Sequence, residues 1–298
     1  MPAHTLTAAG AADLFRSEPT AYIDVGSGEV GLRSIGSGPD VLFVHGWPVS
    51  GATFRGLLPH LVDHVTCHVI DLPGAGSSRF DATTTITVDS HIETVRRVVD
   101  QLGLDDIAVV GHDSGGLIAR HALAGDPRVR SWGLIDTEQP AGLSWRFRQF
   151  LMGARLPGFG AALAWILGKP RLRRSALVLG GAFTDRTLID GDFDEFFLRP
   201  IHTDPRRRDA AVKLIDSFDV RYVNALAELH RHINVPVQLV WGEHDPFFPL
   251  PRAKAMADTF ADARLAVIPG TRLFCHEERP ADVAAALLPL LAESINQQ

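Results

Sequence analysis

Over the first 137 residues, short β-branched runs alternate with amphipathic stretches, and that alternation sets the expected architecture. After a short helical lead (Ala11 to Arg16), "TAYIDVG" and "GEVGLRSIG" read as a hairpin joined through Gly26 and Gly28. "DVLFVHG" is a fully apolar strand, followed by a helical pattern at 51–63, the strand "VTCHVIDL" and a helical pattern at 89–102. "DIAVVGH", a helix at 114–124 and the strand "VRSWGLID" come next. Apolar strands separated by helices predict an α/β fold, a mostly parallel sheet covered by helices on both faces.

The alternation stops after Asp136. Residues 138–231 read as mainly helical and hold eight of the sixteen phenylalanines together with Trp145 and Trp165. Strand patterning resumes with "VPVQLVWG", a helix from about 251, "ARLAVIPG", and a last helix from about 277. The expected organisation is a core of residues 1–137 and 232–298 interrupted by a helical cap, 138–231, over the strand ends. Its aromatics serve an apolar pocket, the cap–core contact, or both.

Charge and composition narrow the function classes. A net charge of −6 with no basic domain argues against nucleic acid as a partner. No run approaches the roughly 18 apolar residues of a spanning helix, so no membrane partner is expected. The N-terminal residues lack a positively charged start and an unbroken apolar core, and there are only two cysteines, so a cytoplasmic address is expected. "GSGEVG" at 26–31 joins two strands and opens no helix, which discounts a dinucleotide site. His230 and His232 lack zinc-site spacing; no metal or cofactor is expected. Arg206 to Arg208, and Arg171, Arg173 and Arg174, read as solvated faces of the cap. Cys275 has no elbow around it and reads as a buried thiol.

Chemistry concentrates in "VVGHDSGGLIAR", 109–120. A strand-to-helix elbow strains its apex residue and needs small neighbours two positions to either side. Asp113 has Gly111 and Gly115 there, whereas Ser114 would face His112. Asp113 is therefore the expected apex, with a plain helix N-cap as the alternative role. A carboxylate is ionised at neutral pH and can attack an electrophilic carbon without a base.

"HGWP" at 45–48, "DLPGAGSS" at 71–78, "GHDSGG" at 111–116, "WGEHDPFFP" at 241–249 and "HEERP" at 276–280 together resemble the α/β-hydrolase superfamily. Within it the chain looks like the branch with an aspartate nucleophile, the epoxide hydrolases and haloalkane dehalogenases. The resemblance implies an alkyl-ester intermediate on Asp113 and an oxyanion hole from the backbone N–H groups of Trp47 and Ser114. It implies Asp245 as the acid orienting a histidine, with Asp136 as the alternative acid. The sequence departs at that histidine: Leu273 occupies the usual base position, and His276, three residues on, is the substitute a shifted loop would bring into reach, since His112 beside the nucleophile should point to the opposite face. A dehalogenase would place an indole directly after the nucleophile, where this chain has Ser114, leaving Trp47 as an indole donor. Epoxide hydrolases use cap tyrosines, and the cap holds one, Tyr222. The expected substrate is an apolar small molecule, an epoxide first and a haloalkane second. A non-hydrolytic or slowly turning member that binds or rearranges such a molecule stands as a further alternative.

Overall fold

The computed structural model describes residues 6–293. Eight strands form one sheet in the order β1-β2-β4-β3-β5-β6-β7-β8. They are β1 (Ala21–Asp24), β2 (Glu29–Gly36), β3 (Asp40–Val44), β4 (Thr66–Asp71), β5 (Ile107–His112), β6 (Val129–Ile135), β7 (Val237–Gly242) and β8 (Ala263–Ile268). β2 runs antiparallel to β1 and β4, and every other pairing is parallel. The expected hairpin is therefore present as β1–β2. β3, β5 and β6 are almost wholly buried, which is why they read as unbroken apolar runs rather than alternating ones.

The helices used below are α1 (Ala8–Arg16), α2 (Val88–Leu102), α3 (Ser114–Leu123), α4 (Trp145–Ala154), α5 (Phe159–Leu167), α6 (Pro205–Asp216) and α7 (Pro280–Leu291). α2 is fixed by a capping box, Thr87 with Ser90, and stops at Gly103 in the left-handed conformation. The helical pattern at 51–63 is broken instead into a 3₁₀ turn, Gly51–Phe54, and a single turn, Leu58–Leu61. Gly56 and Pro59 account for the break: Pro59 lacks an N–H and fits only near a helix start.

No strand forms between β6 and β7. That segment is a series of short helices, with α4, α5 and α6 in mutual contact. Parallel register carries the ends of β5, β6 and β7 to one edge, with His112 opposite Ile135 and Ile135 opposite Val240. Residues just beyond those ends converge, as open α/β sheets arrange their ligand sites.

Candidate active site

Asp113 leaves β5 at φ 51°, ψ −137°, a strained conformation for a residue with a side chain. Its side chain makes no capping bond to α3, so the N-cap role falls away. The flanking glycines are required by distance. A Cβ on Gly115 would lie 2.2 Å from the Val44 carbonyl oxygen, and one on Gly111 2.5 Å from the Gly116 Cα. The elbow is held from below as well: the Asp113 carbonyl accepts from Gly116 N–H at 2.9 Å and from the Thr137 hydroxyl at 2.8 Å.

The Asp113 carboxylate faces the predicted oxyanion hole. Trp47 N–H donates to its Oδ2 at 2.9 Å, and the Ser114 hydroxyl lies 3.4 Å from the same oxygen. Oδ2 thus occupies the donor site. Burial pushes the carboxyl well above the ordinary range, assisted by the charges of Glu138 and Asp245; the Ser114 and Trp47 amides pull it back.

Above Asp113 is a cavity of about 380 Å³, within the usual range for a small-molecule site. Its walls are mostly apolar, with Phe147, Phe150 and Phe218 from the helical segment facing Trp47 and Leu273 from the core. Among the described residues, no histidine, tyrosine or cysteine is in its lining. Two acidic residues are, Asp113 and Glu138.

Sequence reasoning missed Glu138. It follows β6 in "IDTEQP", two residues past the acid position, and a carboxylate at a strand's C-terminal edge was the available signal. Glu138 is 1% exposed, and its Oε1 is buried with no partner among the described residues. Its Oε2 lies 3.1 Å from the Thr137 hydroxyl that also reaches Asp113. Beneath it, the fully buried Arg120 donates to Gly116 O, Thr137 Oγ1 and Glu138 O, each at 2.9 Å. Burial raises the Glu138 carboxyl above its ordinary range, and Arg120 partly offsets this. Two carboxyls raised by burial thus line one cavity, and the Glu138 charge further disfavours ionisation of Asp113.

The two acid positions also meet each other. Asp136 accepts from Gly242 N–H at 2.8 Å and Asp245 from Phe247 N–H at 2.7 Å. They are side-chain neighbours, each with a buried Oδ2 that is unpartnered among the described residues. Burial raises Asp245 to about 7. The Cys275 thiol sits against Asp136 and is pushed well above its usual value, chiefly by burial.

Several expectations need correction. His276 does not reach the cavity: it is fully buried, its Nε2 lies 2.8 Å from Thr53 Oγ1, and its ring rests against His112 at 4.2 Å. Burial and the neighbouring His112 hold it well below the ordinary imidazole range, so it is a neutral core residue. Its place on the cavity wall is filled by Leu273, whose carbonyl accepts from His112 Nε2 at 3.0 Å. Tyr222 does not line the cavity either; its hydroxyl takes a bond from Arg221 at 2.9 Å while its ring packs on His121 and Phe218. The Trp47 indole N–H is turned to the Ala211 carbonyl at 3.0 Å and is not free for a halide. Arg173 is buried between Asp190 and Asp194, and Arg174 also pairs with Asp190, so neither is a bare solvated charge.

Comparison with known proteins agrees with this fold. The alpha/beta hydrolase fold family matches residues 39–280. A pimeloyl-(acyl-carrier protein) methyl ester esterase of Chromobacterium violaceum is 28% identical over 246 residues, 80% of this chain and 88% of its own length. The same-named protein of Stenotrophomonas maltophilia is 32% identical over 181 residues, 54% of this chain and 67% of its own. Among solved structures, an alpha/beta hydrolase fold protein from Burkholderia ambifaria superposes with a TM-score of 0.75 at 23% identity, covering 92% of this chain and 98% of that one. The epoxide hydrolase CorEH gives 0.74 at 21%, covering 91% and 98%. With the elbow, the sheet order and a family match over most of its length, this chain belongs to the alpha/beta hydrolase fold family.

Proposed function

We propose that the protein opens an epoxide on an apolar small molecule through an alkyl ester on Asp113, with Glu138 moving the proton. The observation that carries this reading is the pair of buried carboxyls in one cavity whose lining, among the described residues, contains no histidine or tyrosine. Of the two tautomers of that pair, the nucleophilic one has its charge on Asp113, held by the Trp47 and Ser114 amides, and its proton on Glu138.

In that state Asp113 Oδ1 forms a bond to a ring carbon as the carbon–oxygen bond breaks. The electron pair goes to the ring oxygen, which takes the Glu138 proton in place of the tyrosine donors the cavity lacks. Glu138, now a carboxylate, then accepts a proton from water as that water adds to the ester carbonyl. The oxyanion forms at Oδ2, already seated on the Trp47 amide, where such donors contribute a few kcal/mol. Collapse expels the alkoxide, which recovers the proton from Glu138, and the pair returns to its starting charge. The 138–231 segment acts as a cap that keeps bulk water out.

The haloalkane reading loses support with the Trp47 indole engaged by Ala211. Carboxyl-ester cleavage, as in the names of the relatives, would require Asp113 to form a mixed anhydride, with no histidine in the cavity lining among the described residues. Leu273 at the base position favours a second reading, a member that is alkylated and turns over slowly or not at all.

Single-turnover reaction in ¹⁸O-water separates ester formation from direct attack by water. With enzyme in excess over epoxide, the first diol should carry unlabelled oxygen from Asp113; full labelling in that first turnover would mean that no ester forms.

A further inference from the structure

We propose that the helical segment α4–α5 and the chain following it dock onto an anionic lipid surface, so that amphiphilic substrate passes from the lipid layer into the cavity. From residue 139 to 184 there is not one Asp or Glu, yet seven basic residues occur, in a chain whose net charge is −6. Of these, Arg148, Arg155, Lys169 and Arg171 are exposed and make no ion pair among the described residues.

Large apolar side chains are bare in the same place. Trp145, Met152, Leu156, Trp165 and Leu177 are 61–89% exposed. Among the described residues only Val220 and Val267 join them as exposed large hydrophobics. Trp145, Arg148, Met152 and Arg155 recur at helical spacing, which puts indole, thioether and guanidinium groups on one face of α4. Apolar bodies with interleaved long cations suit a headgroup layer, where indoles sit at the boundary and arginines reach the phosphates.

The patch is continuous with the cavity. Trp145 and Leu177 are exposed yet also line it, so they mark its mouth, and Trp165 neighbours Ile166 of the lining. An acidic protein would meet the same charges but would gain little from a mouth rimmed with tryptophan and leucine. A lipid layer satisfies both features and delivers its solute directly. The expectation of no membrane partner rested on the lack of a spanning run. No single helix among the described residues is long and apolar enough to cross one, and a surface contact requires none.

The test is co-sedimentation of the full chain with vesicles of phosphatidylcholine, with and without phosphatidylglycerol. Binding is expected only to the mixed vesicles, falling as salt rises. Each of Arg148→Ser, Arg155→Ser and Arg171→Ser should weaken it about fivefold, the equivalent of about 1 kcal/mol per basic residue near such a surface. Brominated acyl chains should quench tryptophan emission in the bound state. No sedimentation, equal binding to neutral vesicles, or capture by polyglutamate without capture by vesicles would each overturn the proposal. Alkylation of Asp113 by a water-soluble epoxide should be unchanged in these arginine variants, so failure here is distinguishable from failure of the proposed chemistry.

Discussion

Glu138→Gln should act in opposite directions on two kinds of electrophile. Glutamine keeps the shape and the contact with Thr137 but can neither give nor hold the proton. For an epoxide, the leaving oxygen loses its general acid, a contribution of roughly 10²–10⁴ in rate, or about 3–5.5 kcal/mol of barrier. An alkyl halide leaves as an anion and needs no acid, so that cost does not apply. For it the substitution should help, because the Glu138 charge is one of the influences that raise Asp113, second only to burial. With that charge gone, the competing tautomer disappears and Asp113 is ionised over a wider range. The alkylation profile should therefore shift to lower pH. The assay is stopped-flow or quenched alkylation of Asp113, followed by intact mass, with a matched epoxide and primary bromide across pH. The reasoning is refuted if both electrophiles slow equally, or if neither rate changes.

Leu273→His would put an imidazole on the cavity wall; decay of the alkyl-enzyme peak should accelerate by about 10²-fold or more, and an unchanged lifetime in a folded variant counts against Leu273 as the missing base position. Asp245→Asn tests the buried acid pair. With its folded value raised to about 7 from an ordinary ~3.9, the native state binds more protons than the unfolded one between those limits, so wild-type stability falls as pH rises through that window. The variant, which cannot ionise, should gain in Tm over wild type at pH 8 and lose that gain near pH 4; a pH-independent difference would sink the assignment. His276→Ala should cost about 2–4 kcal/mol in urea denaturation through the lost core ring and Thr53 contact, while leaving Asp113 alkylation unchanged. A collapse in alkylation rate without loss of fold would return His276 to the site.

What was legible in the sequence is what local chemistry dictates. The buried parallel strands announced themselves as apolar runs, and the Gly-framed elbow selected Asp113 over Ser114 because backbone clearance is set by neighbours two residues away. Leu273 in the base position was equally visible, and the structure places it on the cavity wall. Tertiary arrangement decided the rest. Glu138 lines the same cavity as Asp113 because parallel register sets His112 beside Ile135, a relation no single stretch of sequence carries. Tyr222 and the Trp47 indole were offered as donors by residue type, but their polar ends point to Arg221 and Ala211. Arg173 looked like part of a solvated run until Asp190 and Asp194, about 20 residues downstream, closed around it.

Covalent capture is the claim on which the chemistry rests, and intact mass spectrometry after exposure to a small apolar epoxide measures it directly. Quenched before the ester hydrolyses, the wild-type chain should carry the full mass of one epoxide, mapped by peptide digestion to Asp113, and Asp113→Asn should gain nothing. An unmodified wild-type chain that yields no diol across a broad panel, or an adduct that survives Asp113→Asn, would contradict the account.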